Sequence, residues 1–389
     1  MSTIDLEAEL TCSPEQAWVL ITDPAQRNTW STTRTLSSDA GGSDRVDRVG
    51  AVREVVISTP VRATVHQVVT HAEEPRRFEY EVFKGWPLLR GHHCRIDITP
   101  TMAGCAVRVA LDVEFASGIS LLASQTVRRE VQKSLLSLSE RSRVLPQVTT
   151  LQRTYRPTVP VQTHTEQLRS EAARHLAMQQ RLAEELRAAG DPKVWFARLV
   201  ALTTEEYLSI IDAGQLANPD WALSLLIAIH RQYVTTMHAY RSGGPLSTRW
   251  RAALGRCDES DARRPFRCIA VGVVSASRAH MLETMPRALA EVYAQNFRNT
   301  RHYKEFRADY IRLGVIYRNA LQRLMVEVPG GMEMRILRWC TRVLPEVREF
   351  VLRTFYFDIE GERLRAFDTG YDIAREECWP RPQPGENRR

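Results

Sequence analysis

SPEQAWVLITDPAQRNTWS, at residues 13–31, is the stretch that decides the fold of the first third of the chain. Ser13 suits the N-cap of a helix, and Pro14 suits its first position. Asp23-Pro24 should end this helix and begin a second short one, which we expect to end at Trp30. The stretch therefore predicts two consecutive helices.

The residues around this stretch predict an α+β domain. Residues 4–10 alternate as a strand does, and the chain up to about residue 115 has the pattern of one strand after another. Residues 119–145 then form a long amphipathic helix. We expect a curved antiparallel sheet around this long C-terminal helix, followed by an all-α helical domain.

Strand parity predicts which side chains face the interior of the sheet. Phe78 and Tyr80 share the inward face of one strand, and Ile96 places Cys94 and His92 on the inward face of the next. The other strands predict Val65, Gln67, Val69, Val107, Val109, Leu111, Val113 and Phe115 as inward. Parity leaves open which of two adjacent residues, Arg53 and Glu54, points inward.

The Ser-Pro-Glu-x-Ala-Trp…Asp-Pro…Trp pattern and the order of elements resemble the START-like superfamily of polyketide cyclases, aromatases and lipid carriers (SRPBCC, the helix-grip fold). The resemblance covers roughly residues 1–145. It implies an apolar cavity between the sheet and the long helix. A cavity with a few inward polar groups is a natural small-molecule pocket.

The inward polar and aromatic residues supply the candidate site. We predict Tyr80 and His92 as catalytic acid or base. We predict substrate contacts from Trp30, Trp86, Phe78 and Phe115. The alternative for the aromatic residues is an ordinary core position, and the alternative for His92 is a solvated strand end.

The rest of the chain predicts a linker, a helical domain and a tail. Residues 146–190 combine a Pro- and Thr-rich connector with an amphipathic helix, and residues 191–370 have a helical period almost throughout. Residues 371–389 are largely disordered by composition. The helical domain resembles an uncharacterised bacterial family with an Ala-His-Ile-Asn-x-Asp-Leu-Pro motif, matched here by residues 279–286, although Leu282 and Thr284 replace its Asn and Asp.

Three histidines of the helical domain form a candidate second site. His230 and His238 are predicted within one apolar helix face, and His280 lies on a neighbouring helix. Facing helices are where bundles hold metals, but the Glu-x-x-His pairs and the His-Glu-x-x-His motif are absent. Hydrogen-bonded core histidines are the favoured interpretation, so we predict no metal.

Composition narrows the function classes. The chain has 389 residues, a formal net charge of +7, and seven cysteines without a Cys-x-x-Cys pair. The scattered cysteines predict a reduced, cytoplasmic protein. There is no basic block interleaved with aromatics, no signal-peptide pattern and no apolar run of membrane-spanning length, so we expect neither nucleic acid nor a membrane span. Walker, Gly-x-Gly-x-x-Gly and Gly-x-Ser-x-Gly motifs are absent, so we expect no nucleotide cofactor.

Two functions remain from this reasoning. The first is a cyclase-like enzyme of bacterial natural-product biosynthesis, which encloses a hydrophobic intermediate and cyclises or dehydrates it by general acid–base chemistry. The second is a non-catalytic carrier of a lipid or metabolite, with the helical domain as an interaction module and a candidate homodimer interface. A metal-dependent hydrolase in the helical domain is a weaker third reading.

Overall fold

The structure, a computed structural model, describes residues 2–42, 45–58, 62–85, 89–115, 120–144, 165–259, 268–328 and 359–378. These residues fall into two compact units. The first is drawn from residues 1–159 and 301–308, and the second from residues 160–300 and 309–389. The Pro-rich connector predicted between them, residues 146–160, lies outside the described residues.

The first unit contains one seven-stranded antiparallel sheet and a long helix, which confirms the predicted helix-grip architecture. The sheet order is β1-β7-β6-β5-β4-β3-β2. The strands are β1 Ser2–Leu10, β2 Arg34–Asp39, β3 Val52–Ile57, β4 Ala63–Glu73, β5 Arg77–Lys84, β6 Leu89–Thr101 and β7 Gly104–Phe115. The helices are α1 Pro14–Thr22, α2 Pro24–Arg27 and α3 Ser120–Ser142.

The first helix begins as the sequence predicts. The Ser13 hydroxyl accepts a hydrogen bond from the backbone N–H of Gln16, and the Gln16 side chain accepts one from the N–H of Ser13. This reciprocal capping box satisfies two backbone donors that the first turn leaves without helical partners. Asp23 ends α1 and caps α2, but α2 ends at Arg27, earlier than predicted.

The indole of Trp18 fixes α1 against the sheet. Its ring is 1% exposed and meets Phe78 edge to face at 5.7 Å. Its Nε1–H donates to Oδ2 of Asp47 at 3.0 Å, so the one polar atom of this buried ring has a partner. Trp18 therefore joins the helix to the loop before β3 as well as to the core.

Inward parity is confirmed along β5, β6 and β7, where alternate residues are buried. The structure also resolves the choice in β3, because Arg53 is 1% exposed and Glu54 is only partly buried. Burial of a cation rather than a carboxylate gives the interior of this unit a positive charge.

The second unit is helical, as predicted. Its described α-helices are α4 Thr165–Ala188, α5 Val194–Asp212, α6 Pro219–Ser242, α7 Thr248–Asp258, α8 Val274–Ala279, α9 Met285–Val292, α10 Arg307–Arg312, α11 Gly314–Glu327 and α12 Ile359–Cys378. The first two residues of α10, 307 and 308, are grouped with the first unit. The π-helical segments Cys268–Val273 and Tyr293–Phe297 adjoin α8 and α9. The described part of the chain contains no helix that is long and apolar enough to cross a membrane.

The chain stays helical through the 279–286 motif, because a π-helical turn, His280–Thr284, leads directly into α9 and Pro286 sits in the first turn of that helix. The prediction that residues 371–389 are largely disordered is wrong for their first part, since α12 continues to Cys378.

Removal of the Ser13 hydroxyl should loosen the start of α1. Ser13→Ala should lower the local stability by about 1 kcal/mol, because it removes the N-cap acceptor. Hydrogen exchange of peptides from β1 and α1 measures this without interference from the second unit. Thr101→Ala, at an exposed strand end, is the control. Unchanged exchange in Ser13→Ala would contradict the capping role.

Candidate functional site

The first unit encloses a cavity of about 150 Å³ between the concave face of the sheet, α3 and the segment that follows α2. Aliphatic side chains of β6, β7 and α3 form most of its wall. The walls include Ile96, Val109, Val113, Val131 and Leu135. Closely packed protein interiors contain few voids larger than a water molecule, so a cavity of this volume is a feature of the fold rather than a packing defect.

Three polar side chains meet at one end of this apolar cavity: Arg27, Tyr80 and His92. The Arg27 guanidinium lies 5.3 Å from the centre of the Tyr80 ring, and its Nη2 donates to the Tyr80 hydroxyl at 3.4 Å. The Tyr80 and His92 rings stack with their centres 5.8 Å apart. A cation, a hydroxyl and an imidazole are thus within reach of one guest molecule.

His92 is held as a neutral ring with a free nitrogen. Burial lowers its pKa to about 4, and the positive charge of Arg27 acts in the same direction. Its Nδ1 is buried and has no hydrogen-bond partner among the described residues. An unpartnered buried nitrogen costs free energy, so a ligand that donates a hydrogen bond or a proton would find a ready acceptor.

Tyr80 and Cys94 are kept protonated by the same environment. Burial raises the pKa of the Tyr80 hydroxyl far above its usual value, although Arg27 opposes the shift. Burial raises the pKa of the Cys94 thiol to about 11. Both groups are therefore neutral at physiological pH, and Tyr80 can donate its proton in a hydrogen bond.

Gln67 of β4 adds an amide to the cavity wall. Its side chain is 4% exposed, and its Oε1 has no partner among the described residues. Strand β4 places Gln67 directly opposite Arg53 of β3, so the two polar side chains share the inward face. A second buried polar group is thus left available for a guest.

A hydroxyl network closes the side of the cavity between the α2–β2 connection and α3. The Ser134 hydroxyl lies 3.0 Å from that of Thr32 and accepts from the Thr32 N–H at 3.1 Å. One turn earlier on α3, Glu130 lines the cavity and pairs with Lys133 at 2.9 Å. These contacts attach α3 to the connection that carries Trp30.

The predicted site residues are distributed unevenly. Tyr80, His92, Trp30 and Phe115 line the cavity, with the Trp30 Nε1–H donating to the carbonyl of Leu20. Phe78 does not line it, because its ring fills the core between Trp18 and Arg53. Trp86, predicted as a substrate contact, lies outside the described residues.

Sequence reasoning missed Arg27 and Gln67. One sequence signal pointed to Arg27: it precedes Trp30 by three residues. In the helix predicted to end at Trp30, this spacing places both side chains on the same face. Arginine in such a segment is usually a solvated surface residue. Gln67 was predicted as inward-facing, but nothing in the strand pattern distinguished it as a ligand contact.

The histidines of the predicted second site differ in burial. His230 is 3% exposed, but His238 is exposed, which corrects the prediction that both lie in the buried face of α6. His238 lies about two turns beyond His230, in a part of α6 where Tyr233 and Met237 are the buried residues. His280 is partly buried, and burial lowers its pKa to about 4.

His230 instead meets two residues of α4. Its Nδ1 accepts a hydrogen bond from Nε2 of Gln179 at 3.0 Å, and its ring stacks on that of His175 at 4.0 Å. This is the hydrogen-bonded core histidine favoured by the sequence. No group of three or more His, Cys, Asp or Glu residues in the described ranges is arranged to hold a metal ion.

Two known protein families match separate parts of the chain. Residues 174–376 match a family of unknown function (DUF5995), and this match spans more than half of the chain; the chain belongs to that family. It is the uncharacterised helical family that the residue 279–286 motif indicated. Residues 1–143 match the family described as polyketide cyclase / dehydrase and lipid transport, so the N-terminal unit is a START-like domain of the hydrophobic-ligand-binding type.

Solved structures similar to this chain include a START superfamily protein from Mycobacterium smegmatis, at 14% identity and a TM-score of 0.31 over 36% of this chain and 97% of that one. XoxI from Bacillus cereus has 16% identity and a TM-score of 0.31 over 37% and 97%. The Aha1 dimer from Colwellia psychrerythraea has 14% identity and a TM-score of 0.30 over 37% and 98%. No curated protein matches the chain.

The stability of the second unit should fall in mild acid because of His230. Burial, and secondarily the neighbouring His175, lower its pKa to about 4 from 6.5. The unfolded chain therefore binds the proton first, and stability present above pH 6.5 should fall by roughly 2 kcal/mol as the pH approaches 4. Hydrogen exchange of α4 and α6 against pH measures this.

The matched variants are His230→Asn, which keeps an acceptor for Gln179, and the exposed His238→Asn. The first should flatten the dependence of exchange protection on pH between 6.5 and 4, and the second should leave it as in the native chain. An equal slope in all three proteins would show that His230 is not the titrating group.

Proposed function

We propose that the N-terminal unit is a cyclase- or dehydratase-type enzyme that acts on a hydrophobic carbonyl compound by moving a proton within its cavity. His92 is the general base, and Tyr80 is the hydrogen-bond donor that stabilises the oxygen of the developing enolate. The observation that supports this assignment most strongly is the buried, unpartnered Nδ1 of His92 beside the Tyr80–Arg27 pair.

The protonation states suit this chemistry. With a pKa of about 4, His92 is neutral at pH 7 and has a lone pair available on a ring nitrogen. Tyr80 is a neutral phenol whose proton is retained, so it donates to an oxyanion rather than ionising. Weak bases do abstract protons next to a carbonyl when a donor at the carbonyl oxygen stabilises the enolate.

Arg27 positions Tyr80 and contributes charge. Its guanidinium contacts both the face of the ring and the hydroxyl, which restricts the orientation of the phenol. A fixed cation in an apolar enclosure stabilises a developing negative charge more strongly than a cation in water does. The three residues therefore have separate roles: base, donor and orienting cation.

The volume limits what is enclosed. A cavity of about 150 Å³ is the size that accommodates one benzene ring, whereas pockets for drug-sized ligands have about 300–1,000 Å³. The enclosed part of the substrate is therefore about one ring in size. In natural-product biosynthesis this part would be the segment in which the new ring forms.

A non-catalytic carrier is the second candidate. Two observations favour it: the cavity wall is mostly aliphatic, and the pKa values of His92 and Tyr80 both lie far from neutrality, whereas the most effective acid–base groups titrate near the working pH. In a carrier, the same polar end would only orient the guest.

A cytoplasmic location and dimerisation through the helical domain stay predictions.

Proton exchange in a small ketone separates the two candidates. Acetophenone has one ring and an exchangeable methyl group next to its carbonyl, so its deuterium uptake in D₂O, followed by NMR, reports enolisation directly. The native chain should accelerate uptake. His92→Asn and Tyr80→Phe should each lower the acceleration by about a hundredfold.

His93→Asn is the matched control, since His93 neighbours His92 but faces the other side of β6, where it lies 3.3 Å from Glu79. It should leave the rate unchanged. Binding of acetophenone without accelerated exchange in the native chain would favour the carrier, and equal loss of rate in His92 and His93 variants would remove His92 as the base.

The pH profile of the exchange rate gives a further prediction. Because the base stays neutral until the pH approaches 4, kcat/KM at pH 5.5 should equal its value at pH 7.5. A histidine of ordinary pKa would retain only about a tenth of the rate at pH 5.5. A decline centred near pH 6.5 would contradict the buried, neutral base.

A further inference from the structure

Arg27 has more hydrogen-bonding capacity than its surroundings use. The side chain is 8% exposed and borders the cavity. A guanidinium carries five N–H donors, and the described residues accept one hydrogen bond from it, at the Tyr80 hydroxyl. No carboxylate of the described residues forms an ion pair with it. The cavity is therefore bordered by a buried cation with unused donors.

Arg53, which lies opposite Gln67 in the sheet, adds a second buried cation. It is 1% exposed, and its Nη2 donates to the backbone carbonyls of Thr22, at 2.5 Å, and Val46, at 3.0 Å. Its Nε and Nη1 have no partners among the described residues. Burial first, and then repulsion from Arg27, lower its pKa to about 9, so Arg53 remains charged at neutral pH.

The carboxylates nearby are occupied by other groups. Asp47 accepts from the Trp18 indole and forms a salt bridge with Arg45. Glu130, the one carboxylate among the described residues that line the cavity, pairs with Lys133. Asp47 and Asp23 act on the charge of Arg53 only through space, and no carboxylate of the described residues forms a salt bridge with either buried arginine.

Burial of two cations without a salt-bridge partner is costly, and an anion that entered the cavity beside Arg27 would offset part of this cost. The planar fork of an arginine matches a carboxylate in two parallel hydrogen bonds. The Gln67 amide, on the same wall, provides a further polar contact. The aliphatic remainder of the cavity requires that the rest of the anion be apolar.

We propose that the cavity binds a hydrophobic carboxylic acid, with its carboxylate on Arg27 and its apolar part between β7 and α3. The binding preference does not depend on the proposed function and applies to a carrier as well. Only the identity of the substrate rests on that function: if the unit is an enzyme, its substrate is an oxo acid whose carboxylate lies on Arg27 and whose second carbonyl contacts Tyr80.

A matched pair of one-ring ligands tests the preference in the full chain. Benzoate and benzyl alcohol have nearly the same size, and only benzoate is charged at pH 7. Isothermal titration should give benzoate an affinity at least about tenfold higher than that of benzyl alcohol, as charge-assisted hydrogen bonds exceed neutral ones. Inorganic phosphate, which has no apolar part, should not displace benzoate.

Two variants locate the effect. Arg27→Gln should abolish the preference for benzoate while benzyl alcohol still binds, and Arg27→Lys, which keeps the charge without the fork, should retain part of it. Arg108→Gln is the control, since Arg108 pairs with Asp5 on the exposed face of the sheet. Equal affinities of the native chain for the two ligands, or displacement of benzoate by phosphate, would overturn the proposal.

The titration tests the acid-binding site, and the deuterium-uptake assay tests the proposed enzyme, so either proposal can be contradicted without the other. Preferential benzoate binding without exchange of acetophenone would leave the acid site intact and remove the enzyme. Exchange that depends on His92, with no preference for benzoate, would support the enzyme and remove the acid site.

Discussion

The pairing of the first strand with the last determines the architecture of the N-terminal unit. Strand β1 lies beside β7 at one edge of the sheet, whereas β2, the next strand in the chain, forms the opposite edge. The chain between them, residues 11–33, must therefore pass from one edge to the other. Helix α1 packs on β6 and β7, α2 packs on β2, and α3 packs on β1 and β7. This crossing brings Arg27 and Trp30 to the cavity.

Two side chains of the cavity wall have buried polar atoms without hydrogen-bond partners. The Trp18 indole and the Ser13 cap each have their partners, whereas Nδ1 of His92 and Oε1 of Gln67 have none among the described residues. Unpartnered polar atoms of this kind concentrate at functional sites, where a ligand completes the polar contacts. The stability forgone at these residues is consistent with a site that is complete only when a guest is bound.

The sequence predicted the fold better than the site. Alternation and capping depend on nearest neighbours, so the sheet, α1 and the inward position of His92 could be inferred. The sequence could not show which residues of an inward face reach the cavity. Phe78 and Tyr80 have the same parity, yet only Tyr80 lines the cavity. The reach of Arg27 and the exposure of His238 depend on which elements pack nearby, and this information is absent from local periodicity.

The central claim is that His92 is a neutral ring in the cavity wall that accepts a hydrogen bond or a proton from a bound guest. Nitrogen-15 NMR of the histidine rings of the full chain, recorded at pH 6 with and without acetophenone, tests it most directly. The account predicts a neutral His92 ring whose Nδ1 resonance shifts when the ligand binds, while the resonances of His93 do not move. A His92 ring that is protonated at pH 6, or that is unaffected by saturating ligand, would contradict the account.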